Sequence, residues 1–129
     1  MDNNQRIIIH HVAILANGNV QVELKYADKI YQKTVIAPAD EKERLIAATK
    51  ATIDALNEII PTPIITRVSE IQQVKFNELS EQVVVTLVGI RIKGEETLFP
   101  GTARAGSSPI NAVVRATLDA INRPVALFL

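Results

Sequence analysis

His10 and His11 stand side by side in the apolar stretch Ile7-Ile8-Ile9-His10-His11-Val12-Ala13. Imidazoles there are the first place to look for a metal ligand or a proton shuttle. Successive residues of a strand point to opposite faces, so the pair cannot hold one ion from the same side, and no third ligand stands at a metal-binding spacing. Asp54 and Asp119 recur at equivalent places, each three residues before an asparagine, Asn57 and Asn122. Two carboxylates share acid and base work only if they converge in a pocket. Their positions on the polar side of helical patterns read instead as solvated or helix-end groups. The chain holds no Gly-x-Ser-x-Gly, no Walker sequence and no dinucleotide fingerprint. Its lack of cysteine removes thiolate zinc sites, disulfides and cysteine nucleophiles together. No catalytic residue set, metal site or cofactor is therefore expected.

The loop Gly101-Thr102-Ala103-Arg104-Ala105-Gly106-Ser107-Ser108-Pro109 is the best place for a ligand. Free amides at a helix start, two hydroxyls and one guanidinium can cradle a carboxylate or phosphate. Arg104, Gly106, Ser107 and Ser108 are the residues this reading assigns, although serine before proline also opens ordinary helices. The tail Arg123-Pro124-Val125-Ala126-Leu127-Phe128-Leu129 places apolar side chains after a proline that should end a helix. It needs a surface to dock on, and Val125, Leu127, Phe128 and Leu129 are read as interface residues, on a partner in preference to its own core.

The elements that must position these groups come in duplicate. Sliding the chain by 65 positions lays Lys50-Ala51-Thr52-Ile53-Asp54-Ala55-Leu56-Asn57 on Arg115-Ala116-Thr117-Leu118-Asp119-Ala120-Ile121-Asn122, with five of eight pairs identical. The flanks agree as well. In the first unit, Arg6 to Leu15 is a strand, Asn17-Gly18 a tight turn, and Val20 to Tyr26 alternates with period two. Ala27-Asp28-Lys29 turns the chain into a third strand, Ile30 to Ile36. A helix follows from Asp40, with a capping box to Glu43, and Pro61 and Pro63 stop it.

The second unit repeats this order. Ile64 to Phe76 is a strand with less cleanly segregated faces, and Gln82 to Ile92 is apolar enough to be central and buried on both faces. Lys93-Gly94-Glu95-Glu96 turns into Thr97 to Ala105, where Pro100-Gly101 marks a bulge or an edge. Ser108 caps a second helix with Pro109 at its first position. The helices bury equivalent stripes: Leu45, Ala48, Thr49, Thr52, Ile53, Leu56 and Ile60 in one, Ile110, Val113, Val114, Thr117, Leu118 and Ile121 in the other. Ala47, Ala51, Ala55 and Ala112, Ala116, Ala120 flank them and let another backbone come close. The expected fold is α+β: tandem duplicated βββα units, an antiparallel sheet with two helices side by side on one face, units at 6–60 and 64–123 of a single domain, and a tail at 124–129. The other sheet face, partly apolar, invites dimerisation.

Composition narrows the function. Fourteen basic residues balance fourteen acidic ones, and 47% of the chain is hydrophobic. The first part has seven basic and eight acidic residues, the second seven and six, so neither carries the cationic surplus of a nucleic-acid binder. No stretch is long and apolar enough to span a bilayer or serve as a secretory signal, which points to a cytoplasmic protein without membrane partners.

The two βββα units, with Val20 to Leu24 and Ala48 to Leu56 in the first, then Val85-Thr86-Leu87, Gly101, Leu118 and Ala120-Ile121-Asn122-Arg123 in the second, resemble the C-terminal regulatory and dimerisation domain of α-isopropylmalate synthase. That domain binds the feedback inhibitor leucine near its dimer interface, so the resemblance implies a homodimer and a regulatory role. The acidic, glycine-containing loops of the family are here Ala37-Pro38-Ala39-Asp40 and Arg104-Ala105-Gly106-Ser107-Ser108, which does not support leucine as ligand. The catalytic barrel is absent, so the domain is expected to stand alone. The leading reading is a non-enzymatic regulatory or interaction domain that homodimerises and senses a small anionic metabolite, with a protein partner as a further option. The alternatives are a double-stranded RNA binder, which neutrality and five aromatics disfavour, and a small enzyme, for which no residues converge.

Overall fold

A computed structural model describes residues 6–37, 39–60 and 64–125. The chain runs β1(Ile8–Ile14), β2(Val20–Tyr26), β3(Lys29–Val35), α1(Glu41–Ile59), then β4(Ile65–Lys75), β5(Gln82–Ile92), β6(Glu95–Arg104), α2(Pro109–Val125). The fold is α+β and the βββα unit is duplicated. The strands form two separate antiparallel three-stranded sheets, ordered β1-β2-β3 and β4-β5-β6, where one sheet was expected. One cause lies in β4, whose register slips between Ile65 and Arg67 and again between Val68 and Glu70. Two bulges bend and twist the Ile65–Ser69 part of that strand, so this stretch presents no straight edge to the first sheet.

Local chemistry explains the turns. Ala27 and Asp28 both have positive φ, 51° and 65°, as do Lys93 and Gly94 at 52° and 81°, so each unit joins its second and third strands by a two-residue turn of the hairpin type. Glu95 and Glu96 consequently belong to β6 and not to the turn. Between β1 and β2 the loop is one residue longer than a two-residue turn: Gly18 N–H donates to Leu15 O and Leu15 N–H to Asn19 O, both at 2.8 Å, with Gly18 alone at positive φ.

Asp40 occupies the N-cap of α1, but its carboxylate makes no capping bond, so the expected box with Glu43 is not formed. Glu41 and Glu43 in the first turn still favour that end through the helix dipole. At α2 the cap is made, with Asn111 N–H donating to Ser108 Oγ at 3.1 Å. This helix continues through Pro124 to Val125, two residues past the expected stop. In the last turn, proline forfeits one backbone bond and its fixed φ still suits a helix. Pro61 and Pro63, read as the stop for α1, lie outside the described residues.

The core joins both units. Val20, Val22 and Leu24 on β2, Val84, Val88 and Ile90 on β5, and the expected helix stripes form one cluster; only Ile53 is merely half-buried. Burying a valine or leucine stabilises by about 1.5–3 kcal/mol, so these side chains supply much of the folding drive. α1 packs on β2 and β3 and reaches β4; α2 packs on β5 and β6 and reaches β1; the helices touch each other. The six alanines that flank the helix stripes are all buried. The tightest approach they permit is to a strand: a Cβ on Gly101 of β6 would lie 2.0 Å from Ala116 O and 2.5 Å from Ala120 N.

Buried threonines follow the repeat. Thr52 and Thr117 each donate to the carbonyl four residues back, Ala48 O and Val113 O, at 2.7 Å. Thr86 on β5 is equally buried, yet its hydroxyl has no partner. Among the described residues, no helix is long and apolar enough to cross a membrane.

Candidate functional site

The loop after β6 is tied to its surroundings by its own groups. Gly106 has φ 57°, which lets Ser108 N–H turn back to Ala105 O at 3.1 Å. Ser108 then uses its hydroxyl for Asn111 N–H and its carbonyl for Ala112 N–H, so two amides of the α2 start are occupied. Arg104 does not point a free guanidinium at the loop, because its Nε donates to Glu81 Oε1. Gly106 and Ser107 are exposed. Of the four assigned residues, the structure thus gives Arg104 and Ser108 intramolecular partners.

A different set of polar groups gathers on the outer edge of β6. Arg115 donates to Arg104 O at 2.8 Å and to Asn111 Oδ1 at 2.9 Å. One helical turn on, Asp119 Oδ2 accepts from Thr102 N–H at 3.0 Å. Side chains four apart lie on one helix face, so the pair covers an acceptor and a donor of the same edge strand. Pro100, with no N–H to offer, lies further along it. Beside this edge opens a cleft of about 420 Å³ lined by Arg6, Ile8, Thr102, Arg115, Leu118 and Asn122, among others. Sequence reasoning singled out Asp119 but missed Arg6 and Arg115, because nothing in their local pattern shows that they meet the edge of β6.

The histidines stay apart from these features. His10 is the unpaired residue of a bulge in β1, between the pairs Ile9↔Leu24 and His11↔Glu23, and both imidazoles are exposed. His10 Nε2 lies 3.9 Å from Glu23 Oε1. Among the described residues, no cluster of three or more His, Cys, Asp or Glu is placed to hold a metal ion. Asp54 is exposed and has no counterpart of the Asp119 bond. Of the tail, Val125 ends α2, while Leu127, Phe128 and Leu129 lie outside the described residues.

The second sheet has an apolar outer face. The even residues of β5 point into the core; Val83, Val85 and Leu87 point away, half-buried and outside the core cluster. Burial of this strand on both faces was expected, and the described residues cover only one. Register places Val74 of β4 beside Val83, and Pro100 and Leu98 of β6 beside Leu87 and Gly89, with Leu98 43% exposed. Gln72, Glu70, Thr102 and Arg104 frame the stripe. At its end Glu96 accepts from Arg67, at 2.9 and 3.2 Å, and from Thr66. The Arg67 guanidinium, then the Thr66 hydroxyl, hold the Glu96 carboxyl below the usual range.

No family model and no curated protein matches the chain.

Proposed function

We propose that the protein is a non-enzymatic regulatory or interaction domain that forms a homodimer through the outer face of β4-β5-β6. The observation that carries this reading is the row Val83, Val85, Leu87 at the centre of that face, left uncovered by the described residues and rimmed by polar side chains. Apolar cores with polar rims are the anatomy of protein interfaces. A two-fold pairing uses the same patch on both copies, which suits a face whose charges are mixed: Arg67, Arg91 and Arg104 against Glu70, Glu81 and Glu96. The duplicated βββα order that resembles a dimerisation domain supports the same reading.

Sensing of a small anion is the second part of the proposal. The loop at Arg104, Gly106, Ser107 and Ser108 is one place for it; the neighbouring cleft, where Arg6 and Arg115 stand with Asp119 beside the apolar wall of Ile8 and Leu118, is the other. Sedimentation velocity on the wild type and on Val85→Lys tests the dimer. The expected result is concentration-dependent association that the substitution abolishes while the circular dichroism spectrum is retained. A wild type that stays monomeric would overturn it. Thermal-shift measurements with carboxylates and phosphates, repeated on Arg6→Gln, test the anion.

A further inference from the structure

The groove between α1 and β4 has a volume of about 590 Å³ and lies apart from the anion cleft; of its lining, Glu70 also borders the dimer face. β4 is an edge strand. Arg91 N–H donates to Ile64 O and Ala105 N–H to Gln82 O, so the odd residues of β5 turn their main-chain groups toward β4 and the even ones toward β6. Opposite them, Glu70, Gln72 and Val74 bond inward, and Ile71 and Gln73 turn their N–H and C=O groups outward, toward the groove. Among the described residues, no main-chain bond from another element reaches either.

The groove is apolar within and acidic at its rim. Leu45, Ile46, Val68 and Ile71 line it, and Ile46 is 44% exposed. Asp40, Glu41 and Glu70 stand around them against one cation, Lys42, and the Asp40 carboxylate is not spent on capping its helix. Natural proteins blunt free edges, and the two bulges of β4 do so at Thr66 and Ser69. The stretch from Glu70 to Lys75 beside the groove pairs with β5 in unbroken register.

We propose that this groove binds an extended segment of a partner protein, added as a strand to the edge of β4 at Ile71 and Gln73. Side chains of an added strand alternate between faces. Those on the face of Ile71 enter the groove toward α1 and are aliphatic; those on the opposite face lie beside Glu70 and are lysine or arginine. Main-chain bonds then supply affinity and the alternating side chains supply selectivity. The chain's own Ala126-Leu127-Phe128-Leu129 has the apolar character but no base for the rim, so a separate partner fits better.

The probe is a fluorescein-labelled hexapeptide of alternating lysine and valine, followed by anisotropy with the full chain. Saturable binding is expected, lost when glutamate replaces lysine in the peptide. Ile46→Lys and Glu70→Lys should each weaken it by about tenfold or more, equivalent to about 1.4 kcal/mol. Gln73→Pro removes an outward N–H from an edge strand that tolerates proline, and should weaken binding with melting unchanged. Absence of saturable binding, or affinity indifferent to all three variants, would overturn the proposal. Tighter probe binding by Leu127→Asp would show that the tail holds the groove, which also overturns it. Val85→Lys, at the dimer face, should leave the probe's affinity unaltered, so this inference and the dimer fail separately.

Discussion

Asp119 accepts a hydrogen bond from the main-chain N–H of Thr102 at 3.0 Å, across the gap between a helix and the outer edge of a strand. Its counterpart in the first unit, Asp54, makes no such bond, although the two aspartates sit in nearly identical sequence. Asp119→Ala should therefore cost about 1 kcal/mol, the usual net worth of such a bond, and Asp54→Ala should fall within about 0.5 kcal/mol of the wild type. Urea denaturation of both variants makes the comparison. Equal effects would mean that the edge bond contributes nothing in solution.

Gly101 is where a strand and a helix touch backbone to backbone. A methyl group there would collide with Ala116 O and Ala120 N, which belong to the main chain of α2 and cannot swing aside. Gly101→Ala is expected to destabilise by about 3 kcal/mol, at the upper end of overpacking costs. Gly94→Ala provides the contrast: nothing lies near its Cβ position, so only the left-handed backbone is penalised, by about 1 kcal/mol. Melting temperatures in the opposite order would refute the close approach.

Thr86 should be better as valine. Its hydroxyl is buried without a partner, while Thr49, Thr52 and Thr117 bond to helix carbonyls. The matching position of the first unit is Val20, since Val20 pairs with Val35 as Thr86 pairs with Gly101. Thr86→Val is expected to stabilise by about 1 kcal/mol, because it removes an uncompensated desolvation. A loss of stability would reveal a partner for the hydroxyl.

Glu96 gives the protein an acid-sensitive contact. Arg67 first, then Thr66, hold its folded-state pKa below the ordinary value. The stabilisation is complete above the ordinary glutamate range and is lost as pH falls through the lowered folded value. The melting temperature of wild type minus that of Glu96→Gln should be positive at neutral pH and shrink toward zero in acid. A difference constant across the titration would exclude the Arg67 pair as its source.

The fold was legible wherever local chemistry decides it. Alternation at Val20 to Tyr26, the Ser108 cap and both helical stripes but for Ile53 need only neighbours in sequence and match the structure, and the turn read at Ala27-Asp28-Lys29 falls on its first two residues. What depends on distant partners was not legible. The bulges at His10, Thr66 and Ser69 arise from register against β2 and β5, and they reassign faces that strict alternation had placed. The division into two sheets is of the same kind. So is the pairing of Arg104 with Glu81, just before β5. The groove at Ile46 and Ile71 could not be read at all, because its walls come from different units.

Each helix extends past its own sheet to the first strand of the other unit, α1 to β4 and α2 to β1. During synthesis the first βββα segment emerges before β4 exists, so one flank of α1 stays wet until the second half arrives. Neither half covers its own helix alone. A chain severed between the units would have to reassemble from two incomplete pieces, with stability that depends on their concentration.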